Sequence, residues 1–509
     1  MSFKVSSGKA QGVHKLKELF PGAWSSDAKI PNPDVALFDS LQGLIGFKDG
    51  TGGECAMRVS HLPRQFMERG CPVVVLCFDR QAYVPFAKAA EQALRTEAVN
   101  KRILVNSVLE HKDFVSYRDL APPRIWFDQL VPDDFDLGLQ DRDGYRRDVI
   151  RFLCKTWICG PNSSARLEPQ PGCKVIISGH CLRPEDLTEI TQDEEDWSAL
   201  GLRPTDDPED TPIVLERDVF QFDRTLSHQI GEGEMQFFHF LRQLAPKNAL
   251  LVSTDSDVLF LALEFLRSAG KLDLEWRYDG RQAERQYCHI TRFVEDVLKG
   301  AMVTVSLNRG KRKCLEINTI KERWIKQSDP IGQLIAAQSF AGTDYTQGFL
   351  KVTHEMVYMV LLIVGDKIGP LIVNGEPSPE AYMRLLAAAW IHARLPELEY
   401  VPPCAMAKKG DDSTTTSAGD IEAGWREHRL KIWNASQRFE SRYRFPHPVA
   451  DGIIYCNRIL RWVYHLNMIA QVGSATLSLP DPRDWGYGPL VGTAEMTRNN
   501  IFPLLDENR

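Results

Sequence analysis

The chain has little of what marks membrane-embedded, secreted or polyanion-coating proteins. No apolar run in its 509 residues approaches the roughly 20 residues that a membrane-spanning helix needs. The segment MSFKVSSGKAQ at its start lacks the apolar core of a secretory signal. The net charge of −7 argues against a general polyanion binder, although a local basic groove is compatible with an acidic total. These features predict an intracellular protein, cytoplasmic or nuclear, that does not engage a membrane.

Closely spaced cysteine pairs are also missing from the sequence. The eleven cysteines are scattered and odd in number, which favours reduced thiols inside a cell. The nearest approach to a cluster consists of Cys154, Cys159, Cys173, His180 and Cys181, whose gaps match no zinc-binding pattern. Cys173 precedes an apolar strand, and we expect it to pack there rather than to bind a metal.

Apolar strand-like runs followed by helical segments predict an α/β fold. We expect a central, mostly parallel sheet flanked by helices, with a largely helical C-terminal region. The length suits two domains or more, and we find no internal repeat. The predicted divisions are an α/β domain over 1–350 with a surface insertion at about 184–225, a helical extension over 351–406, a flexible linker over 407–420, and a mainly helical region over 421–509.

The stretch from 248 to 264 combines a buried strand with two closely spaced acids. Residues 249–252 are apolar, which suits a central strand covered on both faces. Asp255 and Asp257 follow two positions apart, so extended backbone places both side chains on one side. An apolar helix begins at once. The pair is either part of a divalent cation site or a polar turn that caps this helix.

Other acids stand at comparable places along the chain. Asp39 and Asp79 each follow an apolar strand, while Glu232 and Glu234 open a helix, where the helix dipole alone explains negative charge. The acids that stand at the ends of predicted elements are Asp39, Asp79, Glu232, Glu234, Asp255, Asp257 and Asp344. If they converge at the carboxyl edge of one parallel sheet, their repulsion requires cations. Two Mg²⁺ or Mn²⁺ ions about 3.5–4 Å apart would form a two-metal phosphodiesterase site.

A basic face is predicted on the helix over 85–98. Lys88, Gln92 and Arg95 follow an i, i+4, i+7 spacing and therefore share one side of it. This side either faces solvent or binds an anion such as a phosphate.

Six short segments extend this pattern over about 12–350. They are GVHKLKELFPG, FDSLQGLIGF, VVLCFDRQAYVPFAKAAEQ, GEGE, STDSDVLFL, and the run from CLEINTIKERW to AAQSFAGTDY. In wording and order they resemble the motifs of the flap endonuclease/XPG and XRN-type 5′→3′ exonuclease superfamily, within the PIN-like nucleases. The resemblance implies a PIN-like 5′-nuclease domain over 1–350.

The resemblance also implies a role for each acid. One ion would be held by Asp39, Asp79, Glu232 and Glu234, and the second by Asp255, Asp257 and Asp344 with Glu234 bridging. Lys88, Gln92 and Arg95 match in type and spacing the pocket that grips the 5′-phosphate in XRN-type enzymes. Lys88 or Arg95 also suits electrostatic help at the scissile phosphate.

Several positions depart from the pattern of the superfamily. Ile45 stands where an aromatic or histidine often stacks on the terminal base, and Thr96 stands where a basic residue is expected. Eleven residues precede Gly12, and this extension is expected to block or reshape the entry of a 5′ end. The duplex-binding helix-hairpin-helix after Asp344 is missing. Asp366, in IVGDKIGP, is a weaker rival to Asp344 for the last ligand position.

These observations predict a divalent-metal-dependent nuclease that hydrolyses phosphodiester bonds of RNA or DNA. A 5′→3′ exonuclease with a two-metal mechanism is the first hypothesis, and single-stranded RNA or DNA is the favoured partner. One alternative is an inactive nuclease-fold scaffold or nucleic-acid-binding protein. Another is a structure-specific or single-strand endonuclease. The sequence leaves protein partners open.

Overall fold

The computed structural model describes most of the first 300 residues and separate parts of the remainder. The described residues are 7–85, 88, 127–132, 135–139, 144–191, 200–203, 206–217, 219–278, 285–299, 329–343, 345–346, 352–378, 381–382, 384–386, 389 and 451–485. All structural statements below concern these residues.

Nine strands of the described residues form one sheet. Their bounds are β1 Trp24–Ser25, β2 Val35–Asp39, β3 Val73–Cys77, β4 Lys174–Ser178, β5 Ile213–Glu216, β6 Val219–Phe222, β7 Asn248–Val252, β8 Asp273–Tyr278 and β9 Gln286–His289. The order across the sheet is β1-β9-β8-β7-β2-β3-β4-β5-β6. Strands β8, β7, β2, β3 and β4 run parallel, whereas β9 and β5 pair antiparallel with β8 and β4. Strand β6 then pairs antiparallel with β5. The prediction of an α/β fold with a mostly parallel central sheet is confirmed.

The helices of the described residues follow the strands in the alternation that the sequence predicted. Their bounds are α1 Ser7–Leu19, α2 Gly52–Glu68, α3 Phe135–Gly138, α4 Tyr145–Cys159, α5 Pro184–Thr191, α6 Gly233–Leu244, α7 Asp257–Ala269, α8 Ile290–Lys299, α9 Pro330–Ala341, α10 His354–Ile368 and α11 Asp451–Ile469. A separate two-stranded sheet consists of β10 Ile372–Val373 and β11 Glu376–Pro377. None of these helices is both long and apolar enough to cross a membrane.

The chain divides into two compact units. The sheet unit consists of Ser25–Thr291 and Gln471–Ser478. The helical unit consists of Met1–Trp24, Arg292–Ala470 and Leu479–Arg509. The described residues among 292–350, a range that the sequence analysis placed with the α/β domain, belong to the helical unit. The predicted linker over 407–420 lies outside the described residues.

The central strands of the sheet unit are apolar along their whole length because helices cover both faces. Alternate residues of β2 and β3, such as Phe38 and Leu76, join one core with α2 and α4. The ring of Phe78 stacks on Trp157 of α4 with centroids 6.0 Å apart. Helix α6 contacts β2 and β3 but contributes no residue to that core, so it covers the opposite face.

A buried carboxylate ties the segment before β2 to a distant strand. Glu275 of β8 is fully buried, and its oxygens accept the backbone N–H groups of Lys29 at 2.9 Å and Ile30 at 3.1 Å. Charge-assisted bonds of this kind satisfy a carboxylate that would be costly to bury alone. They fix the chain at the point where it enters the centre of the sheet.

The second half of the expected surface insertion over 184–225 contains two strands of the main sheet. Residues 213–216 and 219–222 form β5 and β6, which extend the main sheet beyond β4. Ile213, Val214 and Leu215 are buried because both faces of this strand are covered. Strand β5 was not predicted because it has only four residues and lies in an acidic, proline-rich part of the sequence.

The helical unit is built around α9, α10 and α11. Trp462 of α11 donates from its indole N–H to the carbonyl of Ala336 in α9 at 2.9 Å. Ser339 and His465 bond at 2.7 Å between Oγ and Nδ1. Gly12 of α1 lies so close to α10 that an added Cβ would stand 2.7 Å from the Cβ of His354. Helix α11 lies within 421–509, the region for which the sequence predicted mainly helical structure.

We expect substitution of Leu250 by alanine to lower the free energy of unfolding by about 2–5 kcal/mol, because it leaves a cavity in the central strand β7. Chemical denaturation measures this change. Val219→Ala on the edge strand β6, where the side chain is 63% exposed, is the control and should change stability by less than about 0.5 kcal/mol. Equal losses for the two variants would contradict the description of the core.

Candidate active site

Three parallel strands deliver acids to the same edge of the sheet. Strands β2 and β3 pair with Asp39 opposite Cys77, and β2 and β7 pair with Phe38 opposite Val252. Asp39 ends β2, Asp79 lies two positions after β3, and Asp255 lies three positions after β7. The carboxyl ends of these strands thus bring Asp39, Asp79 and Asp255 to one edge, as the sequence predicted.

The glutamates reach this edge through the start of α6. Glu232 is the residue before the helix and Glu234 lies in its first turn. The N–H of Gly233 donates to Oδ1 of Asp79 at 3.1 Å, which ties the helix start to the end of β3. A side chain at position 231 would collide with the backbone of Tyr83 and Val84, so glycine is required before Glu232.

The carboxylates lie near enough to one another to resist ionisation. Burial, the neighbouring Asp79 and, more weakly, Asp255 raise the pKa of Asp39 to about 7, against hydrogen bonds from Gln42 and Leu41 that act in the opposite direction. Burial and the charges of Asp39, Asp255 and Asp79 raise the pKa of Glu234 well above its usual value, and Lys88 partly offsets them. Asp39, Asp79, Glu234 and Asp255 therefore contribute to one region of negative charge.

Two basic side chains lie at the margin of this region. Nζ of Lys88 is 2.8 Å from Oε2 of Glu232, and both side chains are almost fully buried. Nη1 of Arg146 is 3.6 Å from Oδ2 of Asp79, and its Nε donates to the carbonyl of Leu139 at 2.7 Å. The positively charged side chain of Lys88, for which the sequence offered anion binding as one role, therefore lies directly beside the acids. Sequence reasoning missed Arg146 because no motif surrounds it and only the packing of α4 brings it to Asp79.

Asp257 begins α7, and its backbone N–H donates to Oδ1 of Asp255 at 2.9 Å. The Asp255 carboxylate thus closes a turn at the start of the helix, and the alternative of a divalent cation site stays a prediction. Asp257 and Glu232 are not among the main groups that shift the pKa of Asp39 or Glu234.

Several predicted site residues fall outside the description. Asp344, Gln92, Arg95 and Thr96 lie outside the described residues, so their predicted roles stay predictions. Ile45, the residue that departs from the aromatic pattern, lies in the described turn after Asp39 and is 49% exposed.

His180, the one histidine in the scattered cysteine group, has a structural role. Its Nδ1 accepts the N–H of Leu182 at 3.0 Å, and its Nε2 lies 3.0 Å from the carbonyl of Pro208 and 3.2 Å from that of Thr211. Burial lowers the pKa of His180 to about 4, which keeps the ring neutral. With both ring nitrogens engaged, His180 has no lone pair left for a metal.

The carboxylate group at the sheet edge fits a hard divalent cation by its chemistry. Its ligand atoms are carboxylate oxygens, the type that Mg²⁺ and Mn²⁺ prefer, and Lys88 and Arg146 lie beside two of the acids. Within the described part of the chain, however, no three acidic, histidine or cysteine side chains form a ready ligand group. The predicted ligand set includes Asp344, which lies outside the described residues, so this set stays a prediction. Two of its described acids, Glu232 and Asp79, lie beside basic side chains.

No protein-family model matches the chain, and no curated protein is significantly similar to it in sequence. The interpretation of this site therefore depends on its own residues and their geometry.

The raised pKa of Asp39 predicts how stability depends on pH when divalent cations are removed. Since folding raises this pKa from 3.8 to about 7, the folded state binds the proton more tightly, and stability falls as pH rises between these values. Asp39→Asn should therefore unfold at a higher temperature than wild type at pH 8 in EDTA, with the difference vanishing near pH 4.

Thermal unfolding across this pH range measures the effect. Asp27→Asn, which changes an exposed aspartate of the same unit, is the matched control and should show no such trend. Identical pH profiles for wild type and Asp39→Asn would show that the carboxylates do not repel one another.

Proposed function

We propose that the protein is a divalent-metal-dependent nuclease that hydrolyses phosphodiester bonds of RNA or DNA. The observation that carries this proposal is the group of Asp39, Asp79, Glu234 and Asp255 at one edge of a parallel sheet, where the neighbouring acids raise the pKa values of Asp39 and Glu234. Such an arrangement destabilises the fold without a cation and is useful when a cation binds. The order of the six motifs supports a PIN-like 5′-nuclease fold and, within it, a 5′→3′ exonuclease.

The described residues divide the work that phosphodiester hydrolysis requires. One Mg²⁺ or Mn²⁺ would be held by Asp39, Asp79, Glu232 and Glu234. A second would be held by Asp255, Asp257 and Asp344 with Glu234 bridging, as the resemblance implies. Bound cations of this kind lower the pKa of a coordinated water and offset charge on the phosphate. The acids supply carboxylate oxygens that bind the cations. Until the cations are bound, the negative charge of the acids repels other anions from this edge of the sheet.

Lys88 and Arg146 give this acidic site a positive margin. A phosphate that approaches the carboxylates needs positive charge on its outer oxygens, and each basic side chain already lies beside one acid of the group. When a divalent cation binds the carboxylate, the basic side chain beside it can bind a phosphate oxygen instead. This favours a role at the scissile phosphate over one in a remote 5′-phosphate pocket.

The same two ion pairs favour a second candidate function, that of a catalytically inactive nuclease-fold scaffold or nucleic-acid-binding protein. In that case Lys88 and Arg146 would neutralise Glu232 and Asp79 permanently, and no cation would be needed. An endonuclease, the third candidate, would use the same acids with an open path for the strand.

A cleavage assay with the Asp255→Ala/Asp257→Ala variant tests the proposal. We expect wild type to degrade linear 5′-phosphorylated strands with Mg²⁺ or Mn²⁺ and not with EDTA. The cleavage activity of the variant should fall by more than about 100-fold. Removal of a residue that only hydrogen-bonds to a metal ligand typically costs up to this factor, and this variant lacks the ligands themselves. The substrates are labelled linear and circular single strands, in RNA and in DNA.

The circular strands distinguish the candidate functions. Cutting of circles would identify an endonuclease, because an exonuclease needs an end. Binding without turnover in wild type would favour the scaffold. Asp223→Ala and Asp207→Ala, which remove capping acids elsewhere in the sheet unit, are matched controls and should retain activity. Full activity in the Asp255→Ala/Asp257→Ala variant would refute the site.

A second variant tests where Lys88 acts. Lys88→Met should lower kcat by about 10²–10³-fold, the usual cost of losing one donor to a developing negative charge, and to a similar degree on 5′-phosphate and 5′-hydroxyl ends. Lys88→Arg keeps the charge and should recover part of the rate. A loss confined to 5′-phosphorylated strands, seen in single-turnover measurements, would instead place Lys88 in an end-binding pocket.

A further inference from the structure

The turn after β2 places the side chain of Gln42 against Asp39, the first acid of the site. Residues Ser40–Gly43 form a single 3₁₀ turn, and Asp39 caps it by accepting the N–H of Leu41 at 3.3 Å. Side chains three positions apart eclipse each other in such a turn, so Gln42 lies over Asp39. Its Nε2 donates to Oδ2 of Asp39 at 2.9 Å. The two oxygens of this carboxylate thus each receive one fixed donor.

The same amide reaches the neighbouring strand. Nε2 of Gln42 also donates to Oγ of Ser253 at 2.9 Å, and Ser253 is fully buried directly after β7. Because Phe38 pairs with Val252, Asp39 and Ser253 occupy the next positions along two adjacent parallel strands. A single amide group therefore links the two strand ends from which Asp39 and Asp255 project.

The link continues to the second acid. Oγ of Ser253 accepts the N–H of Asp255 at 3.0 Å, so a hydrogen-bonded chain runs from Asp39 through Gln42 and Ser253 to Asp255. Close packing holds the turn that carries Gln42, since a Cβ on Gly43 would stand 3.0 Å from Cα of Val59 in α2. The carbonyl of Ser253 is held as well, by the indole N–H of Trp276 at 3.0 Å.

We propose that Gln42 is a positioning residue of the candidate site, which orients the Asp39 carboxylate and sets its distance from the backbone that carries Asp255. This inference rests on the proposed function, because it concerns how the cation-binding acids are held. An amide suits the position, since it donates two hydrogen bonds without adding charge to a region that is already acidic. Loss of such an outer partner typically weakens metal binding by about 10–100-fold.

Mn²⁺ binding to the cation-free protein tests the proposal without reference to catalysis. The full chain is titrated with MnCl₂ and the free ion is followed by electron paramagnetic resonance. Gln42→Met, which keeps length and removes both donors, should weaken Mn²⁺ binding by about 10–100-fold. Gln65→Met is the matched control, because Gln65 bonds only to His61 on the surface of α2 in the contacts described. It should bind Mn²⁺ like wild type.

The second partner of the amide provides an independent variant. Ser253→Ala removes the hydroxyl that accepts from both Gln42 and the N–H of Asp255, but it leaves the bond from Gln42 to Asp39, so it should also weaken Mn²⁺ binding. The loss in the double variant should be smaller than the product of the two single losses, because both changes break the bond between Gln42 and Ser253. Losses that multiply would overturn the proposed link. If Gln42→Met does not fold in EDTA, Gln42→Asn, which is too short to span both partners, replaces it.

Nuclease kinetics separate positioning from a merely structural role. In Gln42→Met the Mn²⁺ concentration for half-maximal cleavage should rise by the same factor as the binding constant, while the rate at saturating Mn²⁺ stays near that of wild type. A folded Gln42→Met protein that binds Mn²⁺ as wild type does would refute the role of Gln42 and leave the proposed function intact. Absence of Mn²⁺ binding in wild type would overturn both.

Discussion

Repulsion between carboxylates at the carboxyl edge of the sheet is the constraint on which the candidate site depends. Strands β2, β3 and β7 bring Asp39, Asp79 and Asp255 together because parallel strands all end at one edge. Burial strengthens the repulsion by removing water, so the pKa of Asp39 rises to about 7. The surrounding groups counter this charge in two ways: Lys88 and Arg146 supply positive charge, whereas Gln42 and the N–H groups of Leu41 and Gly233 supply uncharged donors. Under the proposed function, a divalent cation would offset the charge that weakens the fold.

Much of the sheet could be predicted from the sequence because its central strands are short, wholly apolar and followed by helices. The runs at 35–38, 72–78, 174–178 and 249–252 all form strands, and the acids that follow three of them meet as expected. Local pattern was sufficient here, since a strand buried on both faces leaves no ambiguity about which residues face solvent. Helix α6 was equally clear from its apolar stripe, and Glu232 and Glu234 stand at its start.

Features that depend on distant contacts could not be predicted. Arg146 and Gln42 carry no local signal, because their importance comes from the packing of α4 and from the pairing of β2 with β7. Strand β5 was missed because its four residues lie within acidic and proline-rich sequence, where composition favoured a surface loop. The ion pairs of the acids could not be predicted either: the resemblance implied that seven acids hold two ions, whereas Glu232 and Asp79 lie beside basic side chains in the described part of the chain.

The place of β7 between β2 and β8 has a consequence for biosynthesis. Phe38 acquires its neighbour Val252 only after more than two hundred further residues have been added, and the bonds from Glu275 to Lys29 and Ile30 close later still. Contacts of such sequence separation make folding slow, because a long loop must close before they form. During synthesis by the ribosome, Asp39 and Asp79 are therefore present in the nascent chain well before Asp255 can join them. The acidic edge is assembled late, so an incomplete chain emerging beside messenger RNA does not yet carry the full group of carboxylates.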